Sequence, residues 1–232
     1  MKKITLFVFA EKEEIEHDKF GHLLVKKIFE INNITLSIFF SKELNKEYAL
    51  LICGVGKSNS SFALTNAINK LESSDYFVSN IINIGPVGSL YKNEIGKTFL
   101  VEKCYFFDVN LTFIPNYKLG QLPNNEYLFK TSDDLNNFIF KKHNLSFKNI
   151  LSADKFFSKD DIQTIENNFK NIDLVDMEIC SLVNCAIKLN KKISSIKIVS
   201  DILIEEENSY LTKANIWKNE IKKIFLFILK EI

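Results

Sequence analysis

The chain contains no arginine: all 30 basic residues among its 232 are lysine. Arginine is the planar, forked donor that best grips phosphate and carboxylate groups. Any such clamp must therefore use lysine or backbone N–H groups. Proline occurs three times and glycine seven. No Pro/Gly/Ser-rich stretch marks a linker, so residues 1–232 read as one domain. The four cysteines, Cys53, Cys104, Cys180 and Cys185, form no C-x-x-C pair. This argues against a zinc ribbon or disulfide framework and predicts free thiols in a reducing cytoplasm. His17 and His22 stand five apart, off a common helical face, and His143 is remote, so no metal site is expected. The formal net charge is +1, too small a field to recruit nucleic acid or a membrane surface. No apolar run approaches the ~18–20 residues of a membrane span. The opening MKKITLFVFAEKEE lacks the cleavage site of a signal peptide.

Short apolar runs alternating with amphipathic segments are what is present. Strands are expected at Ile4–Phe9, Ile34–Phe40, Tyr48–Cys53, Asn80–Ile84, Thr98–Phe107, Asn149–Ser152, Asp173–Val175 and Ile193–Ser200. The Asn80–Ile84 strand is expected to end at a glycine turn. Helices are expected at Glu11–Glu30, Ser58–Leu71, Ser132–Lys142, Asp160–Phe169, Met177–Leu189 and Leu211–Lys230. Alternation of this kind predicts an α/β fold, a three-layer αβα sandwich around a mixed, largely parallel sheet. Ligands of such sheets sit at the carboxyl ends of strands. The segments that matter are then Ala10–Glu14, Gly54–Ser58, Gly85–Ser89, Asp154–Phe157, Asp176–Glu178 and Ser200–Asp201.

The segment Cys53-Gly-Val-Gly-Lys-Ser58 looks like half of a phosphate loop. A Walker loop would need its first glycine at Leu51, and a dinucleotide loop would need a glycine at Asn59, so both motifs fail. On this stretch alone, a tight strand-to-helix turn and a turn that lets backbone approach a ligand both remain open.

Several post-strand segments taken together carry more. AEKEEI at Ala10–Ile15 resembles an acidic first turn, and CGVGKSN a strand–turn–helix glycine loop. INIGPVGSL at Ile82–Leu90 is similar to INTGSAGGL, LGQLP at Leu119–Pro123 to YGQLP, and SADKFF at Ser152–Phe157 to SGDAFI. VDMEICSL at Val175–Leu182 is similar to VEMEAAA, and IVSD at Ile198–Asp201 to AISD. In this order and spacing they resemble the 5′-methylthioadenosine/S-adenosylhomocysteine nucleosidases of the nucleoside phosphorylase superfamily. The resemblance runs from about Ala10 to Asp201. It implies hydrolysis of an N-glycosidic bond, with release of adenine and a 5-thioribose product, in methionine salvage. The alternatives are a phosphate-dependent phosphorylase, disfavoured by the absence of arginine, and a nucleoside-binding protein with little turnover.

The reaction builds positive charge on the sugar and negative charge on the departing purine. By resemblance, Glu14 activates the attacking water and Asp201 protonates adenine, with Ser200 orienting the Asp201 carboxyl group. A proton-donating aspartate requires a pKa raised by burial. Glu178 would hold the ribose hydroxyls, Met177 the ribose face, and Phe156 and Phe157 the purine, with Val87 and Gly88 lining the site. Acids at Glu14, Asp176 and Glu178 would equally suit the starts of helices. No cofactor or metal is implied, water is the co-substrate, and a homodimer is implied because the family's pocket borrows residues from a partner. Phe106, Phe107, Phe113 and Ile114 are candidates for an apolar wall at the 5′ end. Two departures stand out. Pro86 replaces a serine of the glycine segment, removing an N–H and a hydroxyl. Asp176 and Lys197 stand where the family has a longer acid and an arginine, and they are expected to pair.

Overall fold

The N-terminal apolar run forms β1 (Lys2–Phe9), and the computed structural model describes residues 1–15, 23–31, 34–91, 94–205 and 209–232. β1 pairs in parallel with β4 (Lys46–Ile52) on one side and with β5 (Tyr76–Ser89) on the other. Ile4, Leu6, Phe7, Val8 and Phe9 are all buried, because both faces of the strand are covered. A strand in that position is continuously apolar and does not alternate. Beyond β4 the sheet continues antiparallel through β3 (Ile34–Ser41) to β2 (Leu23–Ile31) at its edge.

On its other flank β5 pairs in parallel with β10 (Ile193–Ile202). β10 runs antiparallel to β6 (Thr98–Phe106), which pairs in parallel with β8 (Phe147–Ser152) and carries the short antiparallel β7 (Phe129–Lys130). β8 pairs in parallel with β9 (Leu174–Asp176), and β9 returns antiparallel to the end of β5. Strands β5, β10, β6, β8 and β9 therefore close into a ring, with β1, β4, β3 and β2 as an open wing. The sheet is mixed: parallel at its centre, antiparallel in the wing and where the ring closes.

Helices flank both faces. On one, α1 (Lys57–Glu72) and α4 (Ile179–Lys188) bury Leu64, Ile68, Leu182 and Val183 against the strands. On the other, α2 (Asp133–His143) and α6 (Ala214–Glu231) bury Ile139, Trp217, Ile221 and Phe225. Two short helices, α3 (Ile162–Asn168) and α5 (Ser209–Thr212), complete the chain. Among the described residues no helix is long and apolar enough to cross a membrane.

Two expectations are corrected. The helix expected over Glu11–Glu30 is instead one 3₁₀ turn at Lys12–Glu14, followed later by strand β2. Val25, Ile28, Phe29 and Ile31 are branched or aromatic and favour the pleated state. A register shift between Val25 and Lys27 accommodates the lysine pair that interrupts the alternation. His17 and His22 lie outside the described residues. The strand expected to stop at Ile84 runs on through Gly85, Pro86 and Gly88 to Ser89, because β10 pairs along this whole stretch.

Candidate active site

The cavity opens where the ladder parts. β1 makes its last pair with β5 at Val8–Asn83, and β9 makes its first at Gly88–Val175. Between these points β5 has no strand on that flank. Pro86 falls in this gap, where a missing N–H leaves no ladder bond unmade on the open side. Gly85, Pro86, Val87 and Gly88 line a cavity of about 270 Å³ there. Gly88 has no alternative: a Cβ would stand 2.8 Å from Val175, 2.9 Å from Leu203 and 3.0 Å from Asp201 Oδ2.

Glu14, Glu178 and Asp201, far apart in sequence, all line this cavity. Glu14 is buried, not on a solvated helical turn, and its Oε2 accepts the Ala10 N–H at 3.0 Å. Burial, helped by the charge of Glu178, pushes its pKa up to about 8 against the pull of Lys197. Glu178 precedes α4 and is raised to about 7, by burial first and then by Asp176, with Lys197 opposing. Burial also raises Asp201, while the Ser200 hydroxyl pulls the other way. Ser200 Oγ lies 2.7 Å from Asp201 Oδ1 and 3.2 Å from the Val87 carbonyl, so it is placed to donate to either.

Behind the carboxyl groups lies the pair of Lys197 and Asp176, Nζ to Oδ2 at 2.8 Å, both side chains 2% exposed. Asp176 also accepts the Ser152 hydroxyl at 2.6 Å and the Ile179 N–H at 3.1 Å. Ser152 Oγ accepts the Cys180 N–H at 3.0 Å, so the start of α4 is fixed to β8 and β9. Burial alone would depress the Lys197 ammonium; Asp176 and Glu178 reverse this and hold its pKa above the ordinary value. Lys197 Nζ and Glu14 Oε2 converge on Gly85, where a Cβ would stand 3.6 Å and 3.7 Å from them.

The glycine turn does something other than hold phosphate. Gly56, at φ +95°, donates its N–H to Glu178 Oε1 at 2.8 Å. The next N–H, of Lys57, goes to Asp154 Oδ1 at 2.7 Å. Successive amides of this kind make an anion-binding concavity, and here two carboxylates of the chain itself fill it.

Met177, Val87, Phe156 and Phe157 also line the cavity. Phe156 is 74% exposed and touches Tyr210 edge-on at 6.1 Å. Phe157 leans on Phe107 at 5.1 Å. Phe106, Phe107, Phe113 and Ile114, the candidates for an apolar wall at the 5′ end, do not line the cavity within this one chain. Phe106 is buried against Phe129 at 5.8 Å, Phe107 packs behind Phe157, and Phe113 is 81% exposed. These side chains sit on β6 or the segment after it, whose apolar members turn to the core or to solvent.

Tyr210 and Asn83 also line the cavity; Tyr210 is unmarked in the sequence, while Asn83 falls within INIGPVGSL but carries no assigned role there. Tyr210 is held by Trp217, with the rings stacked at 5.2 Å and indole Nε1 donating to the Tyr210 carbonyl at 3.0 Å. Burial, and then the charges of Glu11, Glu14, Asp201 and Glu178, push its hydroxyl up to about 12. Asn83 donates to Val8 O at 3.2 Å and accepts from Ser195 Oγ at 2.8 Å, bracing β5 against its neighbours. Tyr210 belongs to no motif; only a contact across the cavity identifies it. Among the described residues no group of three or more His, Cys, Asp or Glu side chains is placed to hold a metal ion.

Comparison with known proteins gives a consistent result. The model of the phosphorylase superfamily matches residues 19–230. A 5′-methylthioadenosine/S-adenosylhomocysteine nucleosidase from Buchnera aphidicola subsp. Baizongia pistaciae is 30% identical over 210 residues, 86% of this chain and 79% of the relative. The same enzyme from Buchnera aphidicola subsp. Acyrthosiphon pisum (strain Tuc7) is 29% identical over 206 residues, 86% of this chain and 84% of the relative. The crystal structure of the nucleosidase from Neisseria meningitidis, in complex with methylthio-immucillin-A, has a TM-score of 0.84 at 21% identity, covering 100% of both chains. That last likeness shows a shared, nucleoside phosphorylase-like fold. The chain belongs to the phosphorylase superfamily, within the family of 5′-methylthioadenosine/S-adenosylhomocysteine nucleosidases.

Proposed function

We propose that this protein hydrolyses the N-glycosidic bond of 5′-methylthioadenosine and S-adenosylhomocysteine, releasing adenine and the 5-thioribose product. The observation that carries the reading is the convergence of Glu14, Glu178 and Asp201 on one cavity, each with a raised pKa. In the reaction, Glu14 takes a proton from water as the water oxygen bonds to C1′. The C1′–N9 bond breaks, and Asp201 gives its proton to N7 of the leaving adenine. Groups placed in this way are worth about 10²–10⁴ in rate each. Glu178, with one oxygen held by Gly56, uses the other to accept from the ribose hydroxyls. Met177 packs on the sugar, Phe156 and Phe157 on the base, and Ser200 steers Asp201. The space over Gly85, between Glu14 Oε2 and Lys197 Nζ, suits the water.

A phosphorylase would need an anion seat. The lysines lining the cavity are Lys155 and Lys197, and both are engaged, Lys155 with Asp161 at 2.7 Å and Lys197 with Asp176 at 2.8 Å. Water is therefore the co-substrate of this reading. A homodimer belongs to it too: Val55 and Phe62 leave apolar surface at the glycine turn and on α1, which a second copy would cover. Four free cysteines accord with a cytoplasmic location, and one domain spans the chain.

The test is adenine release from both thioethers by purified protein, with and without phosphate, beside calorimetric titration. Release without phosphate is expected. Release only with phosphate would make the protein a phosphorylase, and binding without release would make it a nucleoside-binding protein.

A further inference from the structure

The lysine of GVGKS is absent from the cavity wall and is occupied elsewhere. Lys57 Nζ pairs with Asp108 Oδ1 and lies 3.7 Å from Asp154 Oδ2. Asp154 is bound twice more: its Oδ1 accepts the Lys57 N–H at 2.7 Å, and its own N–H donates to Asp108 Oδ2 at 3.0 Å. The ammonium also lies over the Phe106 ring at 5.6 Å. One lysine thus joins the glycine turn, the segment after β6 and the segment after β8. The last of these carries Phe156 and Phe157, two and three residues beyond Asp154. The turn itself holds Glu178 through the Gly56 N–H at 2.8 Å.

We infer that Lys57 is a positioning residue, clipping the aromatic segment that meets the base to the turn that holds the sugar-binding Glu178. The roles of Phe156, Phe157 and Glu178 in this statement rest on the nucleosidase reading. The distance between base and sugar subsites is then set by one cation between two carboxylates. The side chains are 19% exposed at Lys57, 28% at Asp108 and 47% at Asp154. The clip is accordingly within reach of salt, and its loss should loosen the segment without unfolding the chain.

Methylthioadenosine carries no net charge at neutral pH, so a salt dependence of its binding that depends on Lys57 reports on the protein. The experiment measures kcat and KM for methylthioadenosine, and the calorimetric Kd for adenine, at low and high salt. The proteins are wild type, Lys57→Met, Lys57→Arg and Asp154→Asn. Lys57→Met should raise KM and the adenine Kd by roughly 1.5- to fivefold, the range open to a partly exposed ion pair, with a smaller change in kcat. Wild type should weaken toward the variant as salt rises, and Lys57→Met should not respond. Lys57→Arg should recover most of the loss. Asp154→Asn keeps an acceptor for the Lys57 N–H but loses the charge, and should also lose the salt response. Unchanged KM, Kd and salt response in Lys57→Met would overturn the clip, as would failure of Lys57→Arg to recover. If Lys57→Met does not fold, Lys57→Arg and Asp154→Asn decide by the same readouts. Wild-type protein that binds adenine but releases none would sink the nucleosidase reading and leave the clip to be judged on Kd.

Discussion

In the proposed reaction Glu14 must be ionised to accept a proton from water, yet burial and the charge of Glu178 hold it at about 8. At about pH 6 only about 1% of molecules would carry the ionised base, and at about pH 7 roughly a tenth. Because kcat/KM reports the free enzyme, it should rise close to tenfold between those two values and level off above about pH 8. The assay is adenine release at low methylthioadenosine concentration and constant ionic strength, from about pH 5.5 to about pH 9.5. Lys197→Met removes a cation that lowers the pKa of Glu14 and should move the rising limb to higher pH. The same groups set a trend in stability. The folded value of Glu14, about 8, lies above its reference of 4.5, so its contribution is complete below that reference and is lost as pH rises through about 8. Glu178, at about 7 against 4.5, acts in the same direction. The ligand-free protein should therefore melt at a lower temperature at about pH 9 than at about pH 6. A kcat/KM flat from about pH 6 to about pH 8, in a protein that needs Glu14, would refute the buried-base argument.

Four substitutions test the rest of the site. Asp201→Asn and Glu14→Gln should each cut kcat by about 10²–10⁴ while calorimetry still detects binding, and wild-type rates in either would move the acid or the base elsewhere. Gly56→Ala places a Cβ 2.9 Å from Asp154 Oδ1 at φ +95°, so it should cost about 1–3 kcal/mol in strain and raise KM as the amide leaves Glu178. Thermal melting and steady-state kinetics read both effects, and an unchanged melting temperature would remove the strain argument. Lys197→Arg should fail to raise kcat/KM, because Asp176 is already bound by Ser152, Ile179 and the ammonium; a large gain would contradict that pairing.

The sequence was most legible where one element dictates its own composition. β1, covered on both faces, reads as a nearly continuous apolar run, and α1 follows directly from its glycine turn. It was least legible where the partner decides the state. β2 is a strand because β3 lends it an edge, and its isolated periodicity passes for a helix. The ring is invisible for the same reason: β5 reaches Ser89 only because β10 and then β9 pair with it. Glu14, Glu178, Asp201 and the Asp176–Lys197 pair came from motif order, and the cavity gathers all five. Tyr210 and Asp108 carry no local signature, since what gives them a place is a contact across loops.

The missing arginine matters less to the chemistry than the charge count around Lys197. One buried ammonium faces Asp176 in contact, with Glu178 and Glu14 close enough to shift its titration. Burial first, and then an excess of carboxyl groups over the one cation, keep protons in the site, so Glu14 and Glu178 sit at about 8 and about 7. Such a site is poorly suited to a neutral sugar and well suited to one gaining positive charge. As the C1′–N9 bond stretches, the developing cation meets carboxylate already in place, so the interaction strengthens toward the transition state. A guanidinium at Lys197 would leave that balance unaltered. A neutral residue there would deepen the negative excess and push the pKa of Glu14 further up, leaving less of it ionised at about pH 7 than the roughly one-tenth that Lys197 allows. The forked geometry of arginine is therefore dispensable in this chain, whereas a single positive charge at Lys197 is not.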